Sequence, residues 1–216
     1  MKRVILNNEN IEQSARQALS VLIKGGSVVT PTDTVYGLAA NACDQATVEQ
    51  VFKIKKRDPE HALPVLVRDI YWAREVAFIP PKLEPYLSQL WPGPVTVVLP
   101  KKRVIPSIVS GGSDNIGVAV RIADNVFLDR LLNMFGYPLT GTSANLAGAE
   151  GSDDPDKIAS MFKGEIWQPD LLIDAGPATN KTPSTIIDFT SIKPRIIRSG
   201  AVSRDKLESI LSLSNL

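Results

Sequence analysis

One cysteine and one histidine, Cys43 and His61, are all that this chain of 216 residues offers in thiol or imidazole ligands. A lone cysteine excludes an intrachain disulfide and suits a reducing compartment. The two residues together cannot build the usual zinc set, so no resident metal is expected. A serine hydrolase would have to recruit His61, which lies in the charged stretch KKRDPEHALP and reads otherwise as a solvated loop residue. GTSAN (141–145) also has Asn145 where the nucleophile-elbow pattern G-x-S-x-G requires glycine, and that chemistry is set aside. Charge of one sign is missing too. There are 24 Lys+Arg against 23 Asp+Glu, a net charge of +1. The overall field therefore demands no polyanionic partner, although a local basic patch could still bind one. Aromatic residues make up 6 % and do not interleave with the basic runs, as stacking on nucleic acid would prefer. No apolar run approaches the roughly 18 residues of a membrane span. The N-terminus has only the short apolar run Val4–Leu6, too little for a signal peptide. A soluble, cytoplasmic protein with no membrane partner is expected. Neither G-x-x-x-x-G-K-[ST] nor G-x-G-x-x-G occurs, so a nucleotide would have to be held largely by side chains.

Apolar residues at 44 % and charged residues at 22 % are ordinary globular composition. Strand and helix patterns alternate along the chain. VIL (4–6), SVVT (27–30), PVLV (64–67), PVTVVLP (94–100), GVAVRI (117–122), LLID, STIIDF and RIIRS read as strands. Residues 11–24 carry apolar positions at helical spacing and stop at Gly25-Gly26. Asp44 can cap a second helix bearing Val48, Val51 and Phe52. Further helices are expected over 126–135, from Asp154-Pro155 to 162, and in SRDKLESIL. Proline-rich segments between strands stay helical or irregular. With no repeat, linker or composition shift, the pattern predicts one α/β domain over 1–216, built on a twisted, largely mixed or parallel sheet flanked by helices.

Polar chemistry gathers beside the strand ends. PTDTVYG (31–37) places Thr32, Asp33, Thr34 and Tyr36 where a buried strand should end. Turn chemistry and a ligand site both account for it. KIKKR (53–57) reads either as a basic last helical turn or as an anion site. Residues two apart on a helix point about 200° from each other. Lys55 and Arg57 can therefore converge only if the helix ends before or between them, and Asp58-Pro59 makes such an end plausible. Arg121 interrupts the apolar strand GVAVRI and shares its face with Ala119 and Gly117. That face either leaves room for a ligand or meets solvent. GTSAN contributes Thr142, Ser143 and Asn145. PST (183–185) and PRIIRSG contribute Ser184, Arg195 and Arg198.

In this order, these segments resemble the YrdC family of threonylcarbamoyl-AMP synthases. PTDTVYGLAANA is similar to the family's first motif, Lys55-x-Arg57 to its K-x-R motif, and GVAVRIADN to its arginine-bearing strand. GTSAN is similar to its S-x-N motif and PSTIIDF…RIIRSGAVS to its closing segment, so the likeness runs from about residue 10 to 210. It implies a concave, basic cavity and a reaction joining L-threonine, bicarbonate or carbon dioxide, and ATP into threonylcarbamoyl-AMP and pyrophosphate. Downstream proteins would carry the threonylcarbamoyl group to tRNA. By the same resemblance, Thr34, Arg121, Thr142 and Ser184 hold threonine. Arg57, His61, Ser143, Asn145, Ser152 and Arg198 contact ATP, and Lys55 acts with Arg57 on the phosphates. Mg²⁺ would accompany ATP, with no tightly bound cofactor. The chain departs from the family pattern at Asp58, at Ala123, at Ser199, at His61 (where the family often has Asn) and in GSDDPDK, where Ser152 stands in for a serine. Some members carry a second, C-terminal domain, which is not expected here. The competing reading is an RNA-binding relative without synthase activity, taking tRNA or double-stranded RNA on KIKKR and KKR (101–103). A carbamoyl-transfer domain of the hydrogenase-maturation kind normally sits in longer, cysteine-rich chains.

Overall fold

The computed structural model describes residues 1–112, 116–191 and 193–212. The remainder of the expected 1–216 domain lies outside the described residues. In chain order the elements are β1 (Lys2–Ile5), α1 (Ile11–Leu22), β2 (Val28–Thr30), β3 (Gly37–Ala39), α2 (Gln45–Lys55), β4 (Val65–Leu66) and α3 (Ile70–Val76). There follow α4 (Glu84–Leu90), β5 (Val95–Pro100), β6 (Gly117–Arg121), α5 (Val126–Phe135), β7 (Leu139–Thr140) and β8 (Thr142–Ser143). The chain continues with α6 (Pro155–Phe162), β9 (Leu171–Asp174), β10 (Thr185–Asp188), β11 (Arg195–Arg198) and α7 (Arg204–Ser212).

The α/β class matches the expectation, but the strands divide between two mixed sheets rather than forming one. One sheet has the order β1-β9-β2-β3-β8 and the other β11-β10-β5-β6-β4-β7. Both contain parallel and antiparallel pairs. Pleating gives the first sheet two buried faces. Val29, Leu38 and Leu172 enter the larger core, which they share with Val97, Leu99 and Val120 of the second sheet. Val28, Ala39 and Leu171 enter a smaller core beneath α1 and α5, against Ala15, Ala18, Leu128 and Leu131. Burying each of the large aliphatic side chains stabilises the fold by roughly 1.5–3 kcal/mol.

Local signals fix most boundaries. Helix α1 stops where Gly25 turns to φ 76° and the Gly26 amide donates to Val21 O at 3.0 Å. Asp44 caps α2 by accepting from the Thr47 amide, Asn125 caps α5, and Asp154 followed by Pro155 opens α6. Strand β3 had no strand signal of its own. Gly-Leu-Ala is a poor β sequence, and the segment is a strand because β2 and β8 pair with it on either side. Among the described residues, no helix is long and apolar enough to cross a membrane.

The sheets meet at Gly141. Strand β7 belongs to one sheet and β8 to the other, and Gly141 alone separates them. Its amide donates to Pro64 O at 2.7 Å. A Cβ placed there would stand 2.6 Å from Leu66 Cγ. Glycine is required by this close approach, because Leu66 is itself buried and cannot swing away. Gly141→Ala should therefore lower stability by about 1–3 kcal/mol, read as a reduced urea midpoint with an unchanged m-value. An alanine variant as stable as the parent would show that the crossover is loosely packed.

Candidate functional site

Residues from both sheets enclose a cavity of about 160 Å³. Its walls include Thr32, Thr34 and Tyr36 from the β2–β3 turn with Gly37 at the start of β3, Thr142 and Ser143 from β8, Arg57 and Leu66, Arg121 from β6, Ser184 just before β10 and Arg198 at the end of β11. Most of the sequence-derived candidates thus arrive at one place from opposite ends of the chain.

The geometric condition on KIKKR is met. Helix α2 ends at Lys55, and Lys56 adopts the left-handed conformation at φ 51° and ψ 40°. The Lys56 amide donates to Lys53 O at 3.2 Å and the Arg57 amide to Phe52 O at 3.0 Å, a helix-ending pair of bonds usually built around glycine. A lysine held in that conformation carries strain of about 1–3 kcal/mol. The reversal sends Lys55 inward and leaves Arg57 free to face the cavity.

Lys55 is 1 % exposed. Its Nζ donates to Ser143 O at 2.6 Å, Asn145 O at 2.8 Å and Asn145 Oδ1 at 3.0 Å. All three ammonium protons are thereby taken by the GTSAN segment, and Lys55 stands behind the wall rather than on it. Burial, with Arg57 second, pulls its pKa down to about 7. Asn145 is similarly committed, donating to Leu146 O at 3.1 Å and Ala149 O at 2.5 Å and accepting from Ser143 Oγ at 2.5 Å. Ser152 is buried and bonded to the backbone of Asp154. His61 is exposed on the turn that follows Arg57. Asn145, Ser152 and His61 do not line the cavity, whereas Thr34, Arg57, Arg121, Thr142, Ser143, Ser184 and Arg198 do.

Three guanidinium groups dominate the electrostatics. Arg121 is 6 % exposed, which removes the solvent-face reading of its strand. It donates through Nε to Gly93 O at 3.1 Å, through NH1 to Thr34 Oγ1 at 2.9 Å and through NH2 to Asp33 Oδ1 at 2.5 Å. Arg198 donates to Ser184 O at 2.8 Å and to Ser184 Oγ at 3.1 Å, and Ser184 Oγ lies 2.7 Å from Thr96 Oγ1. Arg57 donates to Ala62 O at 3.1 Å. Burial is the main cause of a lowered pKa at all three. Mutual repulsion adds to it, from Arg198 on Arg121 and from Arg57 on Arg198. Guanidinium groups stay protonated under such pressure, so the cavity is a concentrated positive field. Among the described residues, Asp33 is the one carboxylate ion-paired with any of the three. Two buried side-chain atoms there lack a hydrogen-bond partner, Arg57 Nε and Asp33 Oδ2. Both belong to this constellation, and an unpaired buried polar atom is a cost to folding. The arrangement suits an anion of several oxygens beside a small polar molecule.

Some participants were not legible as site residues. Thr96 is a polar residue in the apolar strand VTVVL, the same irregularity that drew attention to Arg121. Gly200 packs so closely that a Cβ would come within 2.4 Å of Pro183 O and 2.6 Å of Ser184 O. It therefore sets where Ser184 sits, and its only sequence signal was a glycine after a strand. Tyr36 lines the cavity, yet its hydroxyl donates to Gly176 O at 2.7 Å and accepts from the Ala175 amide at 3.0 Å. Burial raises its pKa to about 12, so it serves as a neutral strut.

Comparison with known proteins agrees with the motif order. Residues 20–200 match the family model of the Sua5, YciO and YrdC proteins, described as "Telomere recombination". The threonylcarbamoyl-AMP synthase of Pyrococcus abyssi is 33 % identical over 211 residues, covering 96 % of this chain and 61 % of that protein. A putative threonylcarbamoyl-AMP synthase of Methanocaldococcus jannaschii is 34 % identical, covering 94 % of this chain and 93 % of the relative. The crystal structure of P. abyssi Sua5 complexed with L-threonine superposes with a TM-score of 0.90 at 30 % identity, over 99 % of this chain and 61 % of that one.

Lys55 makes the site's stability depend on pH. Its folded pKa of about 7 lies below the ordinary 10.5, so between these values the unfolded chain binds more protons and stability rises with pH. Below pH 7 both states are protonated and the cost of the buried ammonium is felt in full. The stability difference between the parent and Lys55→Met should therefore shift in the parent's favour from pH 7 to 10, by at most about 1.4 kcal/mol per pH unit. Urea titrations at pH 7, 8.5 and 10 measure it. A flat difference would mean that the three acceptor oxygens outweigh burial.

Proposed function

We propose, from the premise that this chain belongs to the Sua5, YciO and YrdC family, that its YrdC-like domain is an L-threonylcarbamoyladenylate synthase. It condenses L-threonine, bicarbonate or carbon dioxide, and ATP into threonylcarbamoyl-AMP and pyrophosphate. The observation that carries this reading is the convergence of Arg57, Arg121 and Arg198 on one small cavity walled by hydroxyl groups. The names of the P. abyssi and M. jannaschii relatives support it. So does the threonine carried by a neighbour of the same fold.

Threonine takes the deeper part of the cavity. Its carboxylate meets the buried guanidinium of Arg121, and its polar groups meet the hydroxyls of Thr34, Thr142 and Ser184. ATP lies toward Arg57, Ser143 and Arg198. The threonine amine adds carbon dioxide to give a carbamate. A carbamate oxygen then attacks the α-phosphorus, and the bond from that phosphorus to the pyrophosphate oxygen breaks. Negative charge grows on the phosphoryl oxygens and the leaving group, and fixed guanidinium donors stabilise it without a covalent protein intermediate. Holding the reactants together supplies much of the remaining acceleration, and a closed cavity shields two water-labile species. Lys55 adds positive charge behind the wall and positions Ser143, with Asn145 and Ser152 shaping the same loop. His61 is exposed, so any contact it makes would be with a part of ATP that projects from the cavity. Among the described residues, the cavity wall contains hydroxyls and arginines but no carboxylate. Mg²⁺ would therefore travel on the polyphosphate as part of the substrate. The product would pass in the cytoplasm to proteins that transfer the threonylcarbamoyl group to tRNA.

A second reading, RNA binding without synthesis, has one observation in its favour. Folding brings the half-exposed Trp167 over Lys53, with the ammonium 5.0 Å from the ring, an aromatic beside KIKKR that the sequence order concealed.

Purified protein incubated with L-threonine, bicarbonate, Mg²⁺ and ATP should release pyrophosphate and yield threonylcarbamoyl-AMP by mass spectrometry, in a threonine-dependent manner. Arg57→Ala should slow turnover about a hundred-fold, as loss of one transition-state donor does. Ser143→Ala should slow it about ten-fold. A folded protein that gives no product yet binds RNA at low salt would transfer the argument to the second reading.

A further inference from the structure

We propose that Asp33 is a positioning residue for the substrate carboxylate, acting through Arg121, an inference that rests on the role given to Arg121 above. Asp33 stands among the hydroxyls of PTDT, and none of the assignments so far uses it. Thr32 shapes this turn. Its Oγ1 accepts from the Thr34 amide at 3.0 Å and donates to Val35 O at 2.9 Å. The turn thereby sets two consecutive side chains on one guanidinium, Thr34 on NH1 and Asp33 on NH2, while Gly93 O holds Nε. Thr34 Oγ1 also lies 3.1 Å from Thr32 Oγ1. The hydroxyl that accepts from Arg121 can hence pass its own proton's hydrogen bond along the turn, polarising the chain of bonds.

A planar group tethered through all three nitrogens has one orientation. A guanidinium carries five N–H groups. The protein engages three of them, one on each nitrogen. These three bonds leave one further N–H on each terminal nitrogen for ligand oxygens in the cavity that Arg121 lines. Arg121 lines the cavity and Asp33 does not, so the carboxylate of Asp33 works from behind. Its side chain is 12 % exposed, and its second oxygen is buried without a partner. A half-satisfied buried carboxylate is unfavourable for folding. Its negative charge also weakens the attraction of Arg121 for anions at large. A ligand must then meet the one orientation in which this guanidinium is held, and charge alone counts for less.

The two roles separate in kinetics. Asp33→Asn keeps the shape and an acceptor but removes the charge, and Asp33→Glu keeps the charge but shifts its position. Pyrophosphate release gives KM for threonine and for ATP separately, and inorganic phosphate is tested as an inhibitor against threonine. Thermal melts verify folding. In Asp33→Asn, KM for threonine should rise about ten-fold or more, as loss of a charged hydrogen bond does. KM for ATP should stay within about two-fold, and phosphate should inhibit more strongly. In Asp33→Glu, threonine KM should rise without the gain in phosphate inhibition. A threonine KM within about two-fold of the parent in Asp33→Asn overturns the proposal, as do KM values for both substrates rising in parallel. Failure of both variants to fold would likewise make the pair structural and end it. Arg121→Lys separates this failure from that of the reading beneath it. An unmoved threonine KM in Arg121→Lys would mean that Arg121 does not hold the carboxylate. A raised KM there with a silent Asp33→Asn removes only the positioning role.

Discussion

A single ammonium group ties the functional half of this molecule together. Lys55 extends from the last residue of α2 into the interior and gives all its donors to residues 143–145. Those residues follow directly on the point where the chain passes from one sheet to the other. The bond thus joins the end of a helix to the seam between the sheets, across 88 to 90 positions of sequence. Removing either partner would leave buried polar groups unpaired, which is more costly than never having placed them there. The arrangement over-determines the loop, and an over-determined loop can tolerate a left-handed lysine at the neighbouring position.

The same logic of enforced geometry governs charge. Three guanidinium groups in close quarters, Arg121 buried, Arg57 half-buried and Arg198 exposed at the rim, repel one another, and counter-charge or a ligand eases their coexistence. The fold supplies counter-charge to Arg121 through Asp33, and carbonyl oxygens to Arg57 and Arg198. Dipoles of this kind orient a guanidinium while leaving its charge uncancelled. A polyanion entering the cavity would relieve strain that folding has stored, so part of its binding energy is prepared before it arrives.

How far the sequence disclosed this depends on the kind of signal. Periodicity and caps located α1, α2, α5 and α6 within a residue or two, because those signals are local. Arg121 stood out because one charge in an apolar strand is a local anomaly, and helical geometry posed the end of α2 before or between Lys55 and Arg57 as a condition that the structure meets. The division into two sheets could not be read, because it depends on Gly141 and Leu66, residues 75 positions apart that meet only in the fold. Strand β3 was invisible for the same reason, since its partners confer its structure. Within the site, Lys55 and Asn145 were recognised by type but not by orientation. Which way a side chain faces is settled by its partners, and the three oxygens that capture Lys55 have no signature along the chain.

The closing strand has a bearing on how occupancy of the site would be felt. Strand β11 is an edge, paired on one side to β10 and largely open to solvent on the other. Arg198 at its end grips Ser184, and Gly200 just beyond lies flat against the backbone of Pro183 and Ser184. An edge strand of this sort is among the first parts of a protein to peel away in thermal fluctuation. Anything that engages Arg198 and Ser184 together would act as a rivet through that margin. The affinity of the cavity and the adhesion of the outermost strand are then one free energy seen from two sides, and the empty molecule should breathe most where the filled one is clasped.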